Sequence, residues 1–249
     1  MLYGICDLSI VSIRLEPTGK SELVSQVLFG EHFKVLEKRK KWSKIRIAYD
    51  KFEGWVNNNQ YTEISEDQYK DLEKDEISYS SDLVEFVENK SKELIPIVLG
   101  SSLSSLNLLG YSHDGNATTG KQKKENLLNT AFLYLNAPCL NGGKTPFGID
   151  CSGFTQMVYK LNGYKLKREA SQQATQGEAL SFIEESEPGD LAFFDNTDGD
   201  IIHVGIIMKD NYIIHSHGKV RIDRLDHSGI YNVDKKEHTH KLRVIKKII

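Results

Sequence analysis

Phe147-Gly148-Ile149-Asp150-Cys151-Ser152-Gly153-Phe154 is followed by Met157, Val158 and Leu161, so apolar side chains recur at helical spacing from Phe154 until Gly163 ends the run. The pattern predicts a buried helix over about 151–162 with Cys151 in its first turn. That place favours a thiolate, because the free amides and the positive end of the helix dipole face the sulfur, and the same amides can contribute to an oxyanion hole. Asp150 is placed to cap the helix through its carboxylate or to bind the amine of a peptide, capping being the simpler role. An isolated cysteine is more often a small core hydrophobe than a nucleophile. The rest of the chain must therefore supply its partners.

Two segments do so. Gly199-Asp200-Ile201-Ile202-His203-Val204-Gly205-Ile206-Ile207 is an apolar strand interrupted by one imidazole, and Tyr212-Ile213-Ile214-His215-Ser216-His217 follows after the polar turn Met208-Lys209-Asp210-Asn211. A hairpin there brings His203 and His215 onto neighbouring strands. A thiol nucleophile needs a base within hydrogen-bond reach, and the base needs a third group to fix its ring. Cys151, His203 and His215 fit these catalytic roles in that order, with His217 as an alternative third member. One strand histidine alone is more often a satisfied core imidazole. His32, His113, His227, His238 and His240 stand in polar context and are expected at the surface.

Outward from this core, a helix near 124–135 and strands at 190–195, 201–208, 211–217 and 219–225, with KLRVIKKII as a last strand, predict an α+β domain over 121–249. Residues 1–64 show short alternating runs (SIVSIRL, SQVLFG, HFKVLE, WSKIRIAY, EGWV) separated by turns, which predict five strands of a small bent barrel. Between them, 65–120 is expected to be a helical or irregular connector, or a second barrel unit, whose second helix carries Leu83, Phe86 and Val87 on one face.

Hydrophobic residues make up 39% and charged residues 27%, so a packed core is expected rather than disorder. The formal net charge of -3, with Lys and Arg scattered, offers no basic face for nucleic acid. Three widely spaced cysteines exclude a disulfide framework, and histidines without H-x-x-x-H spacing or a carboxylate cluster speak against a metal enzyme, so neither metal nor cofactor is expected. The N-terminal MLYGICDLSIVSIRLEP has no basic start before an apolar run, and no segment approaches the roughly 18 apolar residues of a membrane span. A cytoplasmic monomer without a membrane partner is the expectation, or a periplasmic or secreted one if an export signal has been removed.

At these residues the chain resembles the NlpC/P60 family, whose papain-like domain carries a D-C-S-G-F motif (here Asp150 to Phe154), an H-V-G-I motif (His203 to Ile206) and a polar third residue on the next strand (His215). Glu187-Pro188-Gly189-Asp190-Leu191-Ala192-Phe193-Phe194 and Arg168-Glu169-Ala170-Ser171-Gln172-Gln173 extend the likeness, and Phe52-Glu53-Gly54-Trp55-Val56 resembles the closing element of a bacterial SH3-like module. The combination is similar to the branch of γ-D-glutamyl-L-diamino acid endopeptidases, cysteine peptidases that cut L-Ala-γ-D-Glu-diamino-acid stem peptides of peptidoglycan during wall turnover or recycling. The resemblance implies a peptidoglycan-derived peptide as partner, bound by Asp150, Ser152 and Ser171, with Glu22 and Phe52 contributed by the module. Where the family carries aromatics in a P-Y-L-W-G-G stretch, this chain reads Pro138-Cys139-Leu140-Asn141-Gly142-Gly143, so Asn141 replaces a cleft tryptophan. That departure leaves open a muropeptide-binding protein with impaired catalysis, and the fold also admits an amidase or acyltransferase. Cys139 is either a filler or a second thiol near Cys151.

Overall fold

A computed structural model describes residues 2–74 and 77–249. The chain divides into two compact units: residues up to Lys121 together with Asn141–Pro146, and Gln122–Leu140 together with Phe147–Ile249.

In the first unit one antiparallel sheet contains seven strands rather than five, in the order Leu23–Leu28, Ile10–Arg14, Glu53–Asn57, Trp42–Ile47, His32–Lys38, Leu2–Ile5 and Thr62–Ile64. Alternating apolar residues turn inward to build a core of Cys6, Val11, Ile13, Val27, Phe33, Val35, Ile45, Ile47 and Val56. Gly54 permits the close approach of the strand Ile10–Arg14: a Cβ there would lie 2.3 Å from Ile13 Cγ2 and 3.1 Å from the Arg14 carbonyl oxygen.

The stretch 65–120 belongs to this same unit and differs from expectation. It holds one longer helix, Glu66–Lys74, and the predicted second helix is the strand Val84–Asn89, paired with Leu94–Val98 and Tyr111–His113. The turn decides the matter. The Asn89 side-chain oxygen accepts from the Ser91 and Glu93 amides, and Lys92 adopts φ 67°, which closes a hairpin that helical spacing cannot reveal. Of the three residues assigned to one helical face, only Val87 is buried.

In the second unit the strands Leu191–Asp195, Ile201–Ile207, Tyr212–His217, Lys219–Asp226, Gly229–Asn232 and Glu237–Lys247 pair antiparallel in a closed ring, because Glu237–Lys247 bonds both to Leu191–Asp195 and to Gly229–Asn232. Closure leaves no free edge among these six strands. Phe194, Ile207, Ile213, Leu225, Ile230 and Ile245 fill its interior. The helix Cys151–Leu161 packs against the strand Ile201–Ile207 and is buried on nearly every side, with Phe154, Met157 and Val158 at 0% exposure. Glu178–Leu180 adds to the outer side of Glu237–Lys247. Among the described residues no helix is long and apolar enough to cross a membrane.

Candidate active site

Cys151 is the first residue of its helix and half-buried as a residue. Asp150 caps the helix: its Oδ1 accepts from the Gly153 amide at 2.6 Å. Arg168, itself buried, grips the cap through Nη2 to Oδ2 (2.6 Å) and Nη1 to Oδ1 (3.0 Å), and its Nη1 also donates to Ser152 Oγ (3.1 Å). Asp150 and Ser152 are therefore held by a guanidinium whose role the sequence did not disclose. Ser171 is exposed on the short helix Ala170–Gln173. Glu22, Phe52 and Asn141 belong to the first unit, where Glu22 and Asn141 are exposed and Phe52 packs against the barrel core.

The Val204 amide lies close enough to the Cys151 sulfur to favour its charged form, which puts the sulfur near the residue that follows His203. Burial raises the Cys151 thiol to about 12, and the Asp150 charge adds to this. A thiolate generated by the helix terminus alone is thus not the resting state, because desolvation outweighs the terminus and the cap has occupied the Gly153 amide. Deprotonation requires an acceptor. Of the other thiols, Cys6 is buried, donates to the Leu8 carbonyl at 3.2 Å and is pushed up by burial, while Cys139 is exposed and adds slightly to the rise at Cys151. All three are free.

His203 Nε2 and His215 Nδ1 share a hydrogen bond of 2.8 Å, as the hairpin predicts from register: Gly205 stands opposite His215. Nδ1 is then the nitrogen of His203 left for another partner. Burial holds His203 well below the usual histidine range, with neighbouring imidazoles adding to the effect, so the ring rests neutral near pH 7. His215 is fully buried and also lowered by burial, partly offset by its bond from Nε2 to Asp223 Oδ2 at 3.1 Å. Asp223 is fully buried as well; burial pushes its carboxyl up, but bonds from His215, Arg221 and the Val233 amide bring it down to about 2. Arg221 chelates it through Nε to Oδ2 (2.7 Å) and Nη2 to Oδ1 (2.8 Å).

His240 corrects an expectation. Rather than lying free at the surface, its ring stacks on His203 at 4.1 Å between centroids and 27° between planes, and burial lowers it to about 4. The closing strand carries it there. His217 meets the His240 ring edge-on at 4.8 Å, and it is His215 rather than His217 that bonds the His203 ring. His32 and His113 are half-buried, whereas His227 and His238 are exposed and face Glu184 and Asp226. Among the described residues no group of three or more His, Cys, Asp or Glu is arranged to hold a metal ion.

A cysteine at the start of a helix packed against a strand that carries a histidine, on a closed antiparallel barrel, is an arrangement suited to a cysteine peptidase. Residues 137–239 match the NlpC/P60 family and residues 13–60 the bacterial dipeptidyl-peptidase SH3 domain, so the chain carries an NlpC/P60 cysteine-peptidase domain behind an SH3-like module. It is 26% identical over 229 residues to a γ-D-glutamyl-L-lysine dipeptidyl-peptidase of Bacillus cereus, covering 80% of this chain and 68% of that one. It is 25% identical over 251 residues to dipeptidyl-peptidase 6 of Lysinibacillus sphaericus, covering 87% and 89%. A crystal structure of an NlpC/P60 family protein from Bacillus cereus superposes with a TM-score of 0.80 at 18% identity over 99% of each chain, a likeness of fold.

Proposed function

We propose that this peptidase hydrolyses the bond between γ-D-glutamate and the L-diamino acid in peptidoglycan stem peptides that begin with a free L-Ala, in wall turnover or recycling. The observation that carries the chemistry is the placement of a neutral Cys151 thiol against the His203 strand, with His215 bonded to the far side of the His203 ring. The names and coverage of the relatives support the substrate class.

His203 Nδ1 takes the thiol proton as the sulfur attacks the γ-carbonyl, so the high thiol pKa is overcome at the moment of bond formation. The amides of Cys151 and Ser152, in a first turn where no intrahelical acceptor exists, are the donors for the developing oxyanion. The imidazolium returns its proton to the departing amine, leaving a thioester that water cleaves with His203 again as base. Asp150 and Ser152, oriented by Arg168, are assigned to the free amine of the substrate, and Ser171 to its backbone.

Incubation with L-Ala-γ-D-Glu-L-Lys followed by mass spectrometry tests this. The expected products are the L-Ala-D-Glu dipeptide and free lysine, abolished in Cys151→Ala. Undiminished turnover in that variant refutes the assignment, binding without cleavage in the parent protein indicates a muropeptide binder, and a transferred dipeptide indicates an acyltransferase.

A further inference from the structure

We propose that Asp223, clamped by Arg221, is a positioning residue that fixes the tautomers of both His215 and His203, and so decides which nitrogen of His203 is bare. This rests on the proposed roles of Cys151 and His203.

Every neighbour of the Asp223 carboxylate other than His215 is an obligate donor. Oδ1 receives Arg221 Nη2 (2.8 Å) and the Val233 amide (3.3 Å), and Oδ2 receives Arg221 Nε (2.7 Å). A carboxylate so surrounded accepts only. The proton in the bond of 3.1 Å to His215 therefore sits on His215 Nε2, which makes His215 Nδ1 an acceptor. His203 Nε2 must then donate across the 2.8 Å contact, and His203 Nδ1 carries the lone pair. The required base is thus prepared two imidazoles away from the carboxylate. When His203 becomes charged, the same chain of bonds places its positive charge in line with a buried anion.

Asp223→Asn turns this into a discriminating test. The amide oxygen belongs at the Oδ1 position, where Arg221 Nη2 and the Val233 amide are both fixed donors, so the amide nitrogen faces His215 and Arg221 Nε. Only His215 can adapt. Its Nε2 becomes an acceptor, its Nδ1 a donor, and His203 is forced to protonate Nδ1, the tautomer that cannot accept from the thiol.

The experiment is 15N NMR of the full chain with labelled histidine at pH 8, alongside steady-state kinetics. The parent protein should show His203 with Nδ1 bare and Nε2 protonated, and Asp223→Asn should invert the pattern and lower kcat by on the order of 10³-fold with KM little changed. A parent His203 protonated on Nδ1, which needs no variant to observe, overturns the proposal, as does an Asp223→Asn protein with an unaltered tautomer. The NMR signature stands apart from turnover, so a failure of the peptidase assignment leaves it readable. Arg221→Met, which leaves the carboxylate as acceptor, should keep the parent tautomer.

Discussion

Gly205 stands directly opposite His215 across the hairpin, and a Cβ at position 205 would come within 2.9 Å of the His215 Cβ and 2.7 Å of Ile213 Cδ1. The missing side chain is what lets His215 lie close enough to reach the ring two residues upstream. Gly205→Ala must displace His215, which lengthens and misaligns its 2.8 Å bond to His203. We expect kcat to fall by up to about 10²-fold, the loss that a misplacement of about 1 Å brings to a reacting geometry. Activity within twofold of the parent would show that the hairpin tolerates the methyl group and that His215 is not held by this contact.

Much of this site is written in local pattern. Cys151 at a helix start, and His203 and His215 on two apolar strands joined by a polar turn, are readable because helical and strand periodicities name the face that each residue occupies. Arg221, Asp223 and Leu225 also share one strand face, and a charged pair on a face that ends in a core leucine is a signal that alternation alone offers. His240 is different. Thr239-His240-Lys241 reads as solvated strand, and only ring closure by Glu237–Lys247, with a register shift between Ile230 and Tyr231, turns that imidazole onto His203. Long-range closure has no signature within a short window. The connector fails for a related reason: helical spacing at 83–87 competes with turn chemistry at 89–93, and the hairpin wins through strand pairing.

Acid should destabilise the second unit before it protonates ordinary carboxylates. His203, His215 and His217 are held below 6.5 in the folded state, chiefly by burial, and His240 falls to about 4. Between those folded values and 6.5 the unfolded chain binds more protons, so this stabilisation is complete above pH 6.5 and is lost as pH falls toward 4. Asp223, at about 2 folded against 3.8 unfolded, adds stability that is complete above 3.8 and lost between 3.8 and 2. Thermal melts should therefore be flat above pH 7 and drop by several degrees between pH 6.5 and 4.5. A Tm unchanged over that window contradicts the buried neutral cluster.

Arg168→Met removes the guanidinium from Asp150 and Ser152 without altering the histidines, and it also takes away a positive charge that favours the Cys151 thiolate. The Asp150 cap to Gly153 survives, so the helix should hold, but the carboxylate loses two charge-assisted bonds and Ser152 Oγ loses one. Because both side chains are assigned to the substrate amine, KM should rise about tenfold or more, with a smaller change in kcat. A fall in kcat at unchanged KM would place Arg168 with the reacting groups instead.

Lys144 lies in the segment that belongs to the first unit, and its ammonium is completely buried against Glu31, 3.3 Å from each carboxylate oxygen. Glu31 Oε2 also accepts from the Leu28 amide at 2.8 Å, and the Lys144 amide donates to Gln26 Oε1 at 2.7 Å, so the segment is anchored through both backbone and charge. Lys144→Met leaves a carboxylate in the interior without its ammonium and should destabilise the first unit by about 3–5 kcal/mol. Pairing it with Glu31→Leu removes the stranded charge and should recover most of that loss, because a buried ion pair gains little net free energy over an apolar pair of similar volume. Both tryptophans, Trp42 and Trp55, lie in the first unit, so urea unfolding followed by tryptophan fluorescence reports on this unit alone. Equal stability of the single variant and the parent would mean that solvent reaches Glu31 as soon as the ammonium is removed.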